Sequence, residues 1–209
     1  MRYVQGTHSL RCILQAQETW RVLGRCRWLT AVVIAWGLLA SPGALAQSPK
    51  PTDYDVKAVY LYNFGRFVEW PGKVEATPGG SFTVCVLGQD PFGPNLDTTL
   101  AGETIGGKTV VAKRISSAQE SGNCRILFLS FREASRLNKI ITDLDKKAVL
   151  TVSDMPQFVK SGGMIQFVLE KNRIRFEVNL TATERAGLTL SSELLKVATV
   201  VIRNPQPGD

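Results

Sequence analysis

From Ser81 to Leu180 the chain alternates short apolar, β-branched runs with helical or turn segments. It then closes on two apolar runs separated only by Lys171-Asn172. This order constrains the fold more than any other feature, because parallel neighbours need a long crossover whereas antiparallel neighbours can be joined by two residues. "SFTVCVLG", "KTVVAKRI", "CRILFLS" and "AVLTVSD" read as four strands. "MIQFVLEKNRIRFEVNL" reads as a β-hairpin turning at Lys171-Asn172. The expected architecture is a three-layer α/β/α sandwich, with a mostly parallel sheet of about six strands and a C-terminal antiparallel hairpin.

The helical segments follow from the same pattern. "DYDVKAVYLYNFGRFVEW" is expected to be a helix with Asp53 as N-cap and Pro71 closing it. It holds Tyr60, Tyr62, Phe64, Phe67 and Trp70 in a chain that is only 8% aromatic, which raises a binding platform as one reading. Helical spacing places Val56, Tyr60, Phe64 and Phe67 near one stripe, with Val59, Tyr62, Asn63 and Arg66 outside it, so a core-facing helix is the expectation. "PFGPNLDTTLAG" contains a short helix. "REASRLNKIITDLDKK" is an amphipathic helix with Leu137, Ile140, Ile141 and Leu144 on one side. "MPQFVKSGG" is a helical turn, and "SSELLKVATVV" is a last helix capped by Ser191 or Ser192.

The N-terminal segment reads differently. "RCRWLTAVVIAWGLLASPGALAQ" has Arg25 and Arg27, an apolar run from Trp28 to Ala40, and Ala44-Leu45-Ala46 before Gln47, the pattern of a cleaved secretory signal. The apolar run is shorter than the roughly 20 residues that span a bilayer. The expected organisation is a signal peptide over 1–46 cleaved after Ala46, a flexible tether over 47–53, one domain over 54–203 and a flexible tail over 204–209. Cleavage would leave 20 of 25 basic and 17 of 18 acidic residues, a net charge of +3. With no basic cluster beyond pairs such as Lys113-Arg114 and Lys146-Lys147, a solvated face is expected and nucleic-acid binding is not.

Cleavage would also remove Cys12, Cys26 and His8, the one histidine. A chain without histidine lacks the usual general base and a common zinc ligand, which points away from an enzyme and from a metal centre or other cofactor. The remaining Cys85 and Cys124 are a disulfide candidate in an oxidising compartment, and the bridge would be worth roughly 4 kcal/mol by chain entropy. Two buried, unpaired thiols on apolar strands are the alternative. "GETIGGKT", Gly102 to Thr109, matches a phosphate-loop pattern, but the β-branched run after it reads as a strand rather than a helix start. A turn at Gly106-Gly107 is expected there instead.

Together "KAVYLYNFGRFVEWP", "FTVCVLGQDPFG", "CRILFLS", "LTVSDMPQFVKSGGMIQFVLEKNRIRFEVNL" and "LTLSSELLKVA" resemble the YfiR/HmsC-like family of exported bacterial proteins. The resemblance implies a periplasmic repressor of an inner-membrane diguanylate cyclase. Such a repressor acts on the cyclase's periplasmic sensor part and so lowers cyclic di-GMP and biofilm formation. It further implies a homodimer and sequestration by a partner outer-membrane lipoprotein. Cys85 and Cys124 stand where some relatives form a redox-responsive bridge. A second cysteine pair that relatives carry has no counterpart in "MPQFVKSGGMIQF". The competing reading is a periplasmic small-molecule-binding accessory module of an uptake or sensory system.

For a partner or ligand surface the candidates come from strand alternation in "NRIRFEVNL". Arg173, Arg175, Glu177 and Asn179 fall on one face, and Ile174, Phe176 and Val178 on the other. Arg175, Glu177 and Asn179 are the candidate binding residues. A solvated edge strand with cross-strand ion pairs explains the same pattern.

Overall fold

Thr52 opens the first helix. Its hydroxyl accepts the Asp55 N–H at 3.3 Å while the Asp55 carboxylate accepts the Thr52 N–H at 2.7 Å, so two otherwise orphaned donors are satisfied reciprocally. The cap is therefore Thr52 rather than Asp53. Helix α1 spans Asp53–Phe67 and ends short of Pro71, because Val68–Glu69 becomes strand β1 and pairs antiparallel with β9, Thr189–Leu190. The computed structural model describes residues 51–71 and 80–203. The expected signal peptide over 1–46, most of the tether over 47–53 and the tail over 204–209 lie outside the described residues.

Helix α1 packs with a phase different from the expected stripe. Its buried residues are Lys57, Ala58, Leu61, Phe64 and Gly65, whereas Val56 and Phe67 are each 37% exposed. Phe64 sets this phase, lying 5.8 Å from the Phe167 ring and 5.1 Å from that of Phe176. Small residues at 58 and 65 let the helix lie close to the sheet. The aromatic stretch is thus mainly core: Tyr60 packs on Phe64, Phe167 and Phe176, and Trp70 sets its ring edge-on to Phe82 at 5.3 Å.

The main sheet has eight strands in the order β10-β8-β7-β6-β5-β2-β4-β3. They are β2 (Phe82–Leu87), β3 (Thr104–Ile105), β4 (Lys108–Ile115), β5 (Cys124–Leu129), β6 (Leu150–Ser153), β7 (Ile165–Glu170), β8 (Arg173–Asn179) and β10 (Val200–Ile202). β4, β2, β5, β6 and β7 run parallel. β8 returns antiparallel beside β7 through Lys171 and Asn172, both at positive φ as a tight hairpin turn requires. The two strands beyond the expected six or so are the short edges β3 and β10. β10 arises because the last helix stops at Val197 and the β-branched run after it pairs parallel with β8. The phosphate-loop match is a hairpin, with Gly106 and Gly107 at φ +58° and +76° turning β3 into β4.

Helices on both faces complete three layers. α1, α2 (Pro94–Leu100) and α5 (Ser192–Val197, capped by Ser191) bury Leu61, Phe64, Leu96, Leu100 and Leu194 against Val84, Val86, Ile126 and Phe128. On the other face Ile140 and Leu144, with Phe158, pack on Leu87, Ile115, Leu127 and Leu129. The amphipathic helix expected from Arg132 is divided: a 3₁₀ segment covers Phe131–Arg136 and α3 covers Leu137–Asp143. The tight first turn carries Glu133 inward, where it is buried. A further short helix, α4 (Leu180–Arg185), follows β8. No helix among the described residues is long and apolar enough to cross a membrane.

Candidate functional site

Numbered along the chain, the five parallel strands lie in the order 2-1-3-4-5, with the topological switch between β2 and β5. Open α/β sheets bind ligands in the crevice beyond the carboxyl ends of the strands at such a point. Here the chain's own side chains occupy that place. The Arg132 Nε donates to Gln89 Oε1 at 2.9 Å, tying the loop after β5 to the loop after β2. Glu133 is buried against Gly88 and paired with Arg136. Beyond β6, Asp154 accepts the Lys57 ammonium at 2.6 Å and the Tyr54 hydroxyl at 2.8 Å.

The electrostatics of this end are those of a closed network. Burial first, and then the hydrogen bond to Asp154, push the Tyr54 phenol up to about 12. Lys57 is only 8% exposed and forms its ion pair with Asp154 at 2.6 Å. Further out, Arg114 holds Asp90 at 2.8 Å and Asp97 at 2.7 Å, and donates to the Gly93 carbonyl at 2.8 Å. The Arg114 hydrogen bond holds the Asp97 carboxyl below its ordinary value.

The three candidate residues on β8 have separate fates. Asn179 is 2% exposed: its Nδ2 donates to the Val159 carbonyl at 2.8 Å and its Oδ1 accepts the Ala182 N–H at 3.0 Å, capping α4. It is a structural cap, and the segment around Val159 covers it. Arg175 and Glu177 are half-buried on the same face, opposite Val168 and Gln166. Across the strand these two residues meet apolar and amide partners, whereas Arg173 stands opposite Glu170. Val200 of β10 sits in register with Glu177 and is 41% exposed, so the strip mixes charge with apolar surface.

Cys85 and Cys124 are joined in a disulfide, with Cα atoms 5.8 Å apart. It links the adjacent strands β2 and β5, and both residues are buried in the second core. Among the described residues no group of three or more His, Cys, Asp or Glu side chains is placed to hold a metal ion.

Comparison with known proteins completes the picture. The profile of the YfiR/HmsC-like family matches residues 54–199, most of the chain. The chain belongs to the YfiR/HmsC-like family. No curated protein matches it. Two solved structures are similar at 13% identity. One is a conserved domain protein from Vibrio cholerae O1 biovar El Tor, matched over 57% of this chain and 54% of that one with a TM-score of 0.41. The other is the ABC domain in complex with L-Trp from Streptococcus pneumoniae, matched over 69% and 60% with a TM-score of 0.46. The chain thus spans little more than half the length of either.

Within this YfiR/HmsC-like chain, sequence reasoning missed the cluster of Tyr54, Lys57 and Asp154. The lysine and aspartate are 97 positions apart, and no local pattern marks them as partners. A lysine inside an apolar helical stripe was the available signal. Asp143 at the end of α3 and Asp145 just beyond it pair with Lys139 at 3.4 Å and Arg185 at 3.1 Å.

Proposed function

We propose that this YfiR/HmsC-like protein is a periplasmic regulator that binds the periplasmic sensor part of an inner-membrane diguanylate cyclase and represses it, lowering cyclic di-GMP and biofilm formation. The observation that carries the reading is the family match over residues 54–199. The Cys85–Cys124 disulfide supports an oxidising compartment, and with it removal of a signal peptide after Ala46. The regulator acts as a homodimer, is released from the cyclase by a sequestering outer-membrane lipoprotein, and does no chemistry of its own.

Repression of this kind is differential binding: the protein must favour the inactive cyclase over the active one. Driving a cyclase from almost wholly active to almost wholly inactive takes a preference of about 10⁴-fold, or about 5.5 kcal/mol. Arg175 and Glu177, half-exposed beside Val168 and Val200, are the residues proposed to contribute to that contact.

The test is genetic and biochemical together. Deletion of the gene raises cellular cyclic di-GMP, and the purified protein binds the isolated periplasmic domain of the cyclase. Arg175→Ala with Glu177→Ala weakens that binding without altering the melting temperature. An unchanged cyclic di-GMP level together with no binding would overturn the repressor role.

A further inference from the structure

We propose that a basin at the amino-terminal end of the parallel strands binds a small organic anion carrying two or more carboxylate or phosphate groups. The basin has a volume of about 860 Å³, which falls in the range of sites that enclose small molecules. Its floor is the sheet itself: Thr83 on β2, Lys113 on β4, and Cys124 with Arg125 on β5. Lys147, just before β6, forms the remaining wall.

Charge decides what such a basin takes. Among the described residues its lining includes Lys113, Arg125 and Lys147 and no carboxylate. None of the three side chains forms an ion pair or hydrogen bond among the described residues, in contrast to Arg114, which holds two aspartates. The acidic residues nearest in sequence are taken elsewhere, Glu120 by the Ser116 and Ser117 hydroxyls, Asp143 by Lys139 and Asp145 by Arg185.

Register brings the cations together. Lys113 is opposite Cys85 on β2, and Cys124 is opposite Thr83 on the other side of the same strand. β4 and β5 flank β2, so Lys113 and Arg125 stand about 10 Å apart laterally, two inter-strand spacings. Ile126 is opposite Leu150, which sets Arg125 beside Val149, two residues from Lys147. Like charges gathered around one basin repel, and a bound polyanion lowers that repulsion. The Ser81 and Thr83 hydroxyls, 3.3 Å apart, and the Asn123 amide add neutral donors at the rim. A ligand with two or more anionic groups can reach cations spaced this far apart, and a single carboxylate cannot.

Calorimetric titration of the purified protein with citrate, and separately with inorganic pyrophosphate, tests the proposal and tells carboxylate from phosphate preference. Saturable binding to at least one is expected, weaker at high salt than at low. Each of Lys113→Gln, Arg125→Gln and Lys147→Gln should weaken it about tenfold, the loss expected for one charge-assisted contact. The triple variant should abolish it. Lys171→Gln with Arg173→Gln, at the hairpin on the opposite end of the sheet, should leave it unchanged. The single variants keep the test decisive if the triple variant does not fold. Absence of saturable binding to either anion, or equal weakening in the hairpin control, overturns the proposal. Cyclic di-GMP is not read in this experiment, so its outcome is independent of the repressor role.

Discussion

The two ends of the parallel sheet are built on opposite principles. At the carboxyl end, where α/β sheets ordinarily receive ligands, polar groups satisfy one another: Lys57 and Tyr54 on Asp154, Arg132 on Gln89, Arg136 on Glu133. At the amino end the cations Lys113, Arg125 and Lys147 face an open basin without side-chain partners among the described residues, and the strands there are held by the Cys85–Cys124 bridge. One end is closed by side-chain electrostatics and the other is stapled covalently and left open. The contrast teaches that position in a fold does not decide where a family member keeps its free surface. The disposition of charge does.

The largest expected effect breaks the amino end. Cys85→Ser with Cys124→Ser, or reduction of the bridge, should lower unfolding free energy by about 4 kcal/mol in urea titration, because a loop of this length is no longer closed in the unfolded chain. A loss below about 1 kcal/mol would mean that the amino end does not depend on its staple.

Next in size is the carboxyl end. Asp154→Ala leaves the nearly buried Lys57 ammonium without its carboxylate and should cost about 3 kcal/mol. Lys57→Met combined with Asp154→Leu should recover most of that loss, since an apolar pair avoids the desolvation of both charges. No recovery would show that the cluster does more than close the end.

Tyr54 offers a pH test of the same network. Its phenol is raised from 10.0 to about 12 in the folded protein, so the folded state keeps a proton that the unfolded state has already given up. The stability linked to it is fully present below pH 10 and is lost as pH climbs toward 12. Ultraviolet difference titration should show a tyrosine ionisation near pH 12, and Asp154→Asn should bring it back toward the ordinary range.

Gly88→Ala probes the crevice itself. The position has φ +87°, and an added Cβ would stand 2.7 Å from the Glu133 carboxylate, so the cost should be about 1–3 kcal/mol. The smallest effect is expected at the open end, where Lys113→Gln, Arg125→Gln and Lys147→Gln together should change stability by no more than about 0.5 kcal/mol. A large loss there would mean that those cations have structural partners, and the contrast between the ends would fail.

Much of the sheet was legible because each central strand is an uninterrupted β-branched or apolar run, and the hairpin announced itself through Lys171-Asn172. What escaped notice depended on tertiary distance or on side-chain size. The phase of α1 followed Phe64 and the small residues Ala58 and Gly65, which a count of apolar positions does not weigh. Asn179 obeyed strand alternation but was claimed by the helix it caps. The pair Lys113-Arg114 read as one solvated patch, yet neighbours on a strand point to opposite faces. Arg114 therefore meets Asp90 and Asp97, while Lys113 lines the basin.

β10 has a consequence for solubility. A hairpin whose outer strand is seven residues long would present a row of unpaired backbone groups, a template onto which another chain could add. Three residues, Val200–Ile202, cover part of that row. The strand is set in place by the Thr199 N–H on the Phe176 carbonyl at 2.8 Å and by Arg203 on Glu184 at 2.8 Å. At the far side the two-residue β3 shields β4 in the same way. Short, fastened margins make the sheet a poor seed for aggregation, and a truncation just before Val200 should turn a monodisperse protein into one that self-associates through β8.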